Sequence, residues 1–468
     1  MQTSVTVDKV TTAAGYNQGV GKLKLLEKMS YGFGDMASNL MWGIIGSFLL
    51  YFYTDVALIP AVATGTIMLV ARILDAVIDP VIGNMVDRTN TRFGRTRPYI
   101  LFGIVPLAVM LVLTFSSPDI STTGKIVYAC ITYVFCGILY SLVNVPYGAL
   151  MPLMTRSSEE KNQLSSYRIL GMALGSIIVT ACTSPLVEFL GGGEEKRGYQ
   201  LTSALFAVCG VILFFFVYKN CKERYIEFAN QDVKKQKGGL LETYKRAFNN
   251  GPWVSTIAFT LFMFIKIGAV VAITIFFCIH VLHNPHMISI LLPAQYVSIL
   301  IASPLAPVFL RKFGHRNGNI IACVIYIVSI ACMPLFKDNM PAFVFCWVFG
   351  NIFAGINGGS VFGMTANAVD YNEWKFDKRC EGTLYAGYSF ATKVGMAIGG
   401  SAVGYVLAFT GYDAANITSQ AVSSINVLYY AVPIFCSVLQ IIAVSFYRLD
   451  AIHPQVVREL EMKRAALK

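Results

Sequence analysis

The residues with the clearest chemical potential are two carboxylates, Asp75 and Asp79, which stand four positions apart in an otherwise apolar run. That spacing places both on one face of a helix, with Arg72 one turn earlier on the same side. Two like charges on adjacent turns repel unless a cation lies between them or one of them is protonated. Pro80 cannot donate a backbone hydrogen bond, so it leaves the carbonyl of Ala76 free as a further oxygen ligand. We therefore expect a site for Na⁺ or H⁺ on this face; the alternative is a closed gate, paired with Arg72 and a basic loop.

A second isolated charge, Lys393, interrupts a run rich in small residues. A lysine there has no local partner, so it either reaches a carboxylate on another helix or extends to the membrane interface. Asp75 and Asp79 are its natural partners, and we assign these three residues to cation coupling. Ser389, one turn before Lys393, is a candidate for binding a solute.

Other polar residues inside apolar runs are candidates for contacting a polar solute. Asn39 and Asn144 are suited to binding hydroxyl groups, and hydrogen bonding between helices is the alternative for each. Arg168 could bind an anionic or hydroxyl-rich solute through its two-pronged guanidinium, or could serve as an anchoring charge at the cytoplasmic surface. We add Arg72 to the same group of solute-binding candidates.

The elements that must position these residues are membrane-spanning helices. Of the 468 residues, 55% are hydrophobic and only 13% are charged, whereas a soluble domain carries about a quarter charged residues. The mean hydropathy is +0.59. A helix needs ~20 apolar residues to cross the bilayer, and the chain has about twelve such runs. We expect their centres near Ile45, Met68, Leu107, Phe135, Ile177, Phe206, Val270, Tyr296, Tyr326, Phe345, Ala397 and Tyr430.

The connectors between these runs predict two halves and an orientation. Lys and Arg concentrate after the second, sixth, eighth and tenth runs, which places those connectors and both termini in the cytoplasm. The segment Phe93-Gly94-Arg95 is echoed by Phe313-Gly314-His315-Arg316 six runs later, and two six-helix halves are the layout of major-facilitator transporters. The expected parts are a cytoplasmic tail 1–25, a first half 26–220, a basic linker 221–251, a second half 252–447 and a cytoplasmic tail 448–468.

Charges at the cytoplasmic helix ends are expected to close the gate on that side. We assign this role to Asp87, Arg88 and Arg95.

Several other functional classes do not fit the sequence. The net charge of +11 comes from short connectors, where it sets topology, so we expect no nucleic-acid partner. His280, His283 and His286 have a spacing that could suit a metal, but Asn284-Pro285 interrupts the helix, and we expect no metal site. The chain has no phosphate-binding glycine loop and no catalytic motif, so we expect neither an enzyme nor a cofactor, and transport driven by ion gradients.

Taken together, these motifs resemble the glycoside–pentoside–hexuronide:cation symporter family, typified by the melibiose carrier. The first matching motif is Tyr31-Gly32-Phe33-Gly34-Asp35. The resemblance continues in 51–55, 71–80, 92–98, 144–147, 369–375, 381–385 and at Lys393, and covers about residues 25 to 450. It implies a major-facilitator fold, alternating access, a central sugar site, a cation site at Asp75, Asp79 and Lys393, and a location in the bacterial inner membrane. By analogy we also expect a monomer.

The departures from the melibiose carrier bear on the solute. The melibiose carrier has acidic residues at the positions of Asn39 and Asn144. At the position of Gly148 it has a Trp that stacks on the sugar. Arg168 falls near the family's sugar-binding Arg. The lost acids weaken the case for a galactoside and leave the cavity more positive, which would suit a hexuronide or a sulfonated sugar or polyol. Import of a sugar-like solute is the leading prediction, and export of a small anionic sugar-breakdown product is the alternative.

Overall fold

The computed structural model describes residues 22–89, 91–155, 157–225, 248–376, 381–414 and 417–466, and within these ranges the regular elements are helices. Twelve of the described helices are long and apolar enough to cross a membrane, and each expected centre falls inside one of them. Their bounds are α1 Leu25–Tyr51 (continued by a π-helical turn, Phe52–Val56), α2 Ala61–Arg88, α3 Arg97–Thr114, α4 Thr122–Met154, α5 Ser158–Gly191, α6 Glu195–Asn220, α7 Gly251–His280, α8 Ile288–Phe313, α9 His315–Cys332, α10 Met340–Phe376, α11 Glu381–Phe409 and α12 Ser419–Ser445.

The starts of several helices follow from local sequence chemistry. Ser121, Ser157 and Thr418 precede α4, α5 and α12, and each side-chain oxygen accepts a hydrogen bond from the backbone N–H three residues later. Asn250 caps α7 in the same way. These caps satisfy donors that a helix leaves free at its first turn. Along the rest of each apolar run only a helix satisfies the backbone without water, which is why runs of this length are helical.

Two close helix pairs show that the halves repeat each other. Gly171 of α5 lies so near α1 that a Cβ there would overlap the backbone of Gly32. Gly399 of α11 lies equally close to α7, where a Cβ would overlap the backbone of Ile265. Small residues allow this approach, which drives helix association in lipid. The pairs α1–α5 and α7–α11 hold equivalent places in the first and second six helices, so the same glycine-lined contact occurs in both halves.

The halves meet along three helix pairs, α2 with α11, α5 with α8, and α1 with α7. We call the side of the bundle that carries the connectors after α2 and α8 the basic face, and the other side the outer face. At the α2–α11 pair, Gly65 packs directly on Gly404. The two residues stand near the start of α2 and the end of α11, so this approach is at the outer face.

Polar contacts also join the halves at the outer face. The hydroxyl of Tyr412 donates a hydrogen bond of 2.5 Å to Asp55 and lies 3.0 Å from His280 Nε2. Burial, together with the Asp55 carboxylate, raises the pKa of Tyr412, so its phenol stays protonated and can donate. The hydroxyls of Thr66 and Tyr405 lie 3.0 Å apart and link α2 to α11. We call Asp55, Tyr412 and His280 the outer-face cluster.

The end of the chain forms a further helix, α13, Leu449–Ala466, where the sequence predicts only a polar tail. It packs under α10: Trp374 Nε1 donates a hydrogen bond of 2.6 Å to Glu459, which lowers the pKa of Glu459. Asp450 accepts a hydrogen bond of 2.7 Å from the backbone N–H of Arg316 and so binds the start of α9. Most of the predicted first tail and of the linker, residues 1–21 and 226–247, lies outside the described residues.

Candidate functional site

The acidic face predicted on α2 points into the protein. Asp75 is only 7% exposed, and its Oδ1 accepts a hydrogen bond of 3.0 Å from Ser141 of α4. Gly137, one turn before Ser141, lets α4 come close: a Cβ there would stand 3.5 Å from Asp75 Oδ1. Pro80 lies within the same helix. A carboxylate at bilayer depth normally faces the bundle interior and marks a functional site, and Asp75 has that position.

Asp79 joins the two halves of the protein. Its Oδ2 contacts Lys393 Nζ of α11, while its Oδ1 is buried and has no hydrogen-bond partner in the described part of the chain. The side chains of Asp79 and Lys393 are 21% and 35% exposed. Lys393 therefore reaches across to α2 and does not extend to the membrane interface. Ser389 is exposed one turn before it, with its carbonyl bonded to Thr392.

Arg72 lies against an aromatic surface that sequence reasoning did not single out. Its guanidinium carbon stands 4.9 Å from the ring centre of Trp42, and Trp42 stacks on Tyr140 with ring centres 4.3 Å apart. Arg72 is also near enough to Asp75 for the two charges to interact. We call Trp42 and Tyr140 the aromatic platform. A Trp in an apolar run usually belongs to the core. The sequence feature that could have marked Trp42 as a solute-binding candidate is its position three residues after Asn39, on the same helix face.

An ion pair between α1 and α5 is a further polar contact that sequence reasoning missed. Asp35 of α1 accepts hydrogen bonds of 2.5 and 3.3 Å from the Nε and a terminal nitrogen of Arg168 on α5. The hydroxyl of Tyr147 lies 3.1 Å from the same carboxylate and 2.6 Å from the carbonyl of Tyr31, and it can donate its one proton to either acceptor. Arg168 is thus an internal residue and not a surface anchor. Asp35 stands one turn before Asn39, which places it on the same face.

The two asparagines proposed for solute binding already bond to neighbouring residues. Asn39 donates a hydrogen bond of 2.8 Å to the carbonyl of Asp35 and accepts one of 3.1 Å from Ser176 of α5. Asn144 accepts a longer bond of 3.4 Å from Ser38. Both remain partly exposed, so hydrogen bonding between helices and contact with a solute are compatible for these side chains.

The predicted gate residues cluster at the basic face of the first half. Arg95 is 4% exposed, and its Nε donates to the carbonyl of Val86 at 3.1 Å. The Glu223 carboxylate accepts hydrogen bonds of 2.7 Å from the backbone N–H groups of Arg95 and Thr96, so it caps the start of α3. Arg88 is exposed at the end of α2. The side chain of Asp87 lies outside the described part of the structure.

The charges of the candidate site are balanced. Three cations, Arg72, Arg168 and Lys393, stand with three carboxylates: Arg168 bonds to Asp35, Lys393 contacts Asp79, and Arg72 lies near Asp75. The sequence predicts a cavity more positive than that of the melibiose carrier. Asp35, one helical turn before Asn39, adds a carboxylate that this prediction did not count, and the six side chains together carry no net charge when all are ionised.

Comparison with known proteins identifies the family and the fold. The family described as "MFS/sugar transport protein" matches residues 30–451. The isoprimeverose transporter of Lactiplantibacillus pentosus is 35% identical over 94% of this chain and 92% of its own length. The putative glycoside/cation symporter YagG of Escherichia coli is 31% identical over 95% and 96%. The crystal structure of the nucleoside transporter NupG superposes with a TM-score of 0.65 over 90% of this chain and 99% of that chain, at 13% identity, and shares the fold.

Proposed function

Because this chain belongs to the MFS/sugar transport protein family and is a secondary transporter of a sugar-like solute, we propose that it couples a neutral glycoside to a cation. The cation, Na⁺ or H⁺, binds at Asp75 and Asp79. The observation that carries the proposal is the contact between Asp79 and Lys393. It joins the halves through one oxygen and leaves the other without a partner among the residues that the structure describes.

The acidic face of α2 has the chemistry that a small cation needs. Na⁺ prefers a cluster of oxygen ligands, and a proton needs one carboxylate that can be neutralised. Asp79 Oδ1 supplies an oxygen that no donor in the described part of the chain reaches, and Asp75 supplies a second carboxylate one turn away. A cation bound there would compete with the Lys393 ammonium for the same charge. Cation binding would then release Lys393 and weaken a contact between the halves.

The solute would bind between the aromatic platform and the Asp35–Arg168 pair. A flat aromatic surface packs on the apolar face of a sugar ring, while the ion pair offers both donors and acceptors to hydroxyl groups. Charge balance favours a neutral solute, because an anion would have to displace Asp35 from Arg168. The similarity to the isoprimeverose transporter and to the putative glycoside/cation symporter supports the same class of solute.

Alternating access follows from where the contacts between halves lie. The outer-face cluster holds the halves together on one side, and the Asp79–Lys393 contact lies deeper along α2 toward the basic face. Breaking one set while keeping the other exposes the site to one side at a time. Since basic connectors remain in the cytoplasm, we place the basic face and both termini there, with the protein acting as a monomer in the bacterial inner membrane.

The test is solute uptake in right-side-out membrane vesicles that contain the protein. The solute panel contains neutral glycosides, hexuronides and sulfonated sugars or polyols, and either a Na⁺ or an H⁺ gradient is imposed. We expect accumulation of a neutral glycoside that follows one of the two gradients and stops when an ionophore dissipates it. Accumulation of the sulfonated or hexuronide solutes alone would overturn the neutral assignment. Accumulation that persists without either gradient would overturn cation coupling.

A further inference from the structure

A lysine in the interior of the second half has no role in the site described above. Lys266 of α7 is 3% exposed, and its Nζ donates a hydrogen bond of 3.3 Å to Ser437 of α12. The same nitrogen stands 4.1 Å from the ring centre of Tyr326 on α9. These partners belong to α9 and α12, so Lys266 points into its own half and not toward α2.

No carboxylate within the described ranges forms an ion pair with Lys266. The titratable groups that act on it are the thiols of Cys323 on α9 and Cys436 on α12, with the Tyr326 phenol above. Among the helices packed against α7, two carry charges well inside their length: Lys393 of α11, which pairs with Asp79, and Asp35 of α1, which pairs with Arg168. The other charged side chains that the structure describes on these helices stand near their basic-face ends: Glu27 and Lys28 of α1, Arg311 and Lys312 of α8, and Asp370, Glu373 and Lys375 of α10.

This environment can accommodate both protonation states of the amine. A buried ammonium without a counter-ion is unfavourable, whereas an aromatic ring face and a hydroxyl acceptor stabilise it. The neutral amine avoids the cost of burying a charge and still bonds to Ser437. A buried lysine changes its protonation state readily, whereas an arginine stays charged.

A track of polar side chains connects Lys266 with the basic face. At that face, His315 Nδ1 lies 2.9 Å from Ser360 Oγ, which accepts a hydrogen bond of 2.8 Å from Asn319. Deeper in the bundle, Asn357 donates to Cys323 Sγ at 3.2 Å.

The deep end of the track reaches the lysine along α12. Cys323 Sγ lies 3.5 Å from Gln440 Oε1, and Gln440 stands one turn after Ser437, the partner of Lys266. The direct contacts are interrupted twice, between Asn319 and Cys323 and between Gln440 and Ser437.

The unpartnered polar atoms of this region lie at those two interruptions. Asn319 Oδ1 and Asn357 Oδ1 flank the first, and Gln440 Nε2 flanks the second. All three are buried and have no hydrogen-bond partner within the described ranges. Buried polar groups of this kind are normally satisfied by internal water. Water at these two positions would make the track continuous from His315 to Lys266.

We propose that Lys266 is a proton-binding site of the second half, separate from the cation site on α2 and reached from the basic face along this track. The ammonium releases its proton to a water molecule of the track and becomes the amine; binding reverses the step. The ligand is a proton delivered by water, and no other reactant is needed. The site goes beyond the proposed cation site, since it would titrate whether Na⁺ or H⁺ drives transport.

The test is nuclear magnetic resonance of the full-length protein, labelled with ¹⁵N-lysine, in lipid nanodiscs and titrated with pH. We expect a lysine side-chain signal, distinct from that of Lys393, with an amine–ammonium transition separated by about one pH unit or more from those of exposed lysines. Lys266→Met should remove that signal, and Lys337→Met, which alters a partly buried lysine bonded to Asn426, should keep it. Water-edited spectra should show transfer of water magnetisation to the Lys266 signal in the wild type. This transfer should be lost in Asn319→Leu.

Three results would overturn the proposal. The first is a wild-type spectrum in which every lysine titrates with the exposed group, which needs no variant to fold. The second is a Lys266 signal that stays ammonium throughout and shifts when chloride is replaced by gluconate, because that behaviour belongs to an anion site. The third is equal water transfer in Asn319→Leu, which would rule out the track as the route.

Discussion

Replacing Asp35 by Asn should shift the solute preference toward anionic sugars. In the native protein Asp35 holds Arg168 through hydrogen bonds of 2.5 and 3.3 Å and neutralises its charge. Asparagine keeps the size of the side chain and removes the negative charge. The guanidinium then has no counter-ion, and a carboxylate or sulfonate on the solute can take that place.

The size of the shift follows from the geometry of the pair. Two unit charges 4 Å apart interact by about 4 kcal/mol at an effective dielectric constant of 20. Arg168 is 33% exposed, so screening by water reduces this to about 1–2 kcal/mol. Since 1.4 kcal/mol corresponds to tenfold in affinity, the preference for an anionic over a neutral solute should rise about tenfold.

The assay is counterflow with a matched pair of solutes, such as methyl β-D-glucuronide and methyl β-D-glucoside, which differ only at C6. Asp119→Asn is the control, because Asp119 is 93% exposed and bonds to Lys196 at the surface, away from the site. An unchanged ratio in Asp35→Asn, or an equal change in Asp119→Asn, would refute the idea that Asp35 sets the charge of the solute site.

Three further predictions concern the platform, the outer-face cluster and the helix contacts. Trp42→Ala should lower the affinity for a neutral glycoside about tenfold in counterflow titrations, since an aromatic stack contributes about 0.5–1.5 kcal/mol beyond its buried area. Tyr412→Phe removes the hydrogen bond to Asp55, worth about 1.5–3 kcal/mol for a charged acceptor. It should therefore raise the reactivity of cysteines introduced at the outer face. Gly399→Ala should lower the apparent melting temperature in detergent, because an added methyl group there costs about 1–3 kcal/mol.

Each of these predictions has a matched control. Trp42→Phe keeps an aromatic face and should stay within a few-fold of the wild type; equal losses in both variants would argue against stacking. Tyr405→Phe removes the other cross-half hydroxyl contact and should act in the same direction as Tyr412→Phe. Gly358→Ala meets no atom within 4 Å, so a loss of stability equal to that of Gly399→Ala would contradict the packing argument.

The sequence was sufficient for the twelve spans because hydrophobic length alone decides which segments cross a bilayer. It also indicated the acidic face of α2, since Asp75 and Asp79 are close in sequence and their spacing places them on one face. Lys393 could be matched to that face because an isolated lysine at bilayer depth needs a carboxylate.

The contacts that sequence reasoning missed join residues far apart in the chain. Asp35 and Arg168 are separated by 133 residues, and Asp55 and Tyr412 by 357. No periodicity relates such positions, so their partners depend on how the helices pack. Lys266 is a different case: a lone lysine in an apolar run carries the same signal as Lys393. Its surroundings, however, could not be known before α9 and α12 were placed beside it.

The central claim is that a cation bound at Asp79 drives accumulation, and Asp79→Asn tests it most directly. Two assays are compared in the same vesicles: gradient-driven accumulation and counterflow, which needs no net movement of the ion. We predict that Asp79→Asn abolishes accumulation and retains measurable counterflow, while Asp119→Asn retains both. If Asp79→Asn still accumulates solute against its gradient, the Asp75/Asp79 face is a structural contact with Lys393 and the proposed coupling is wrong.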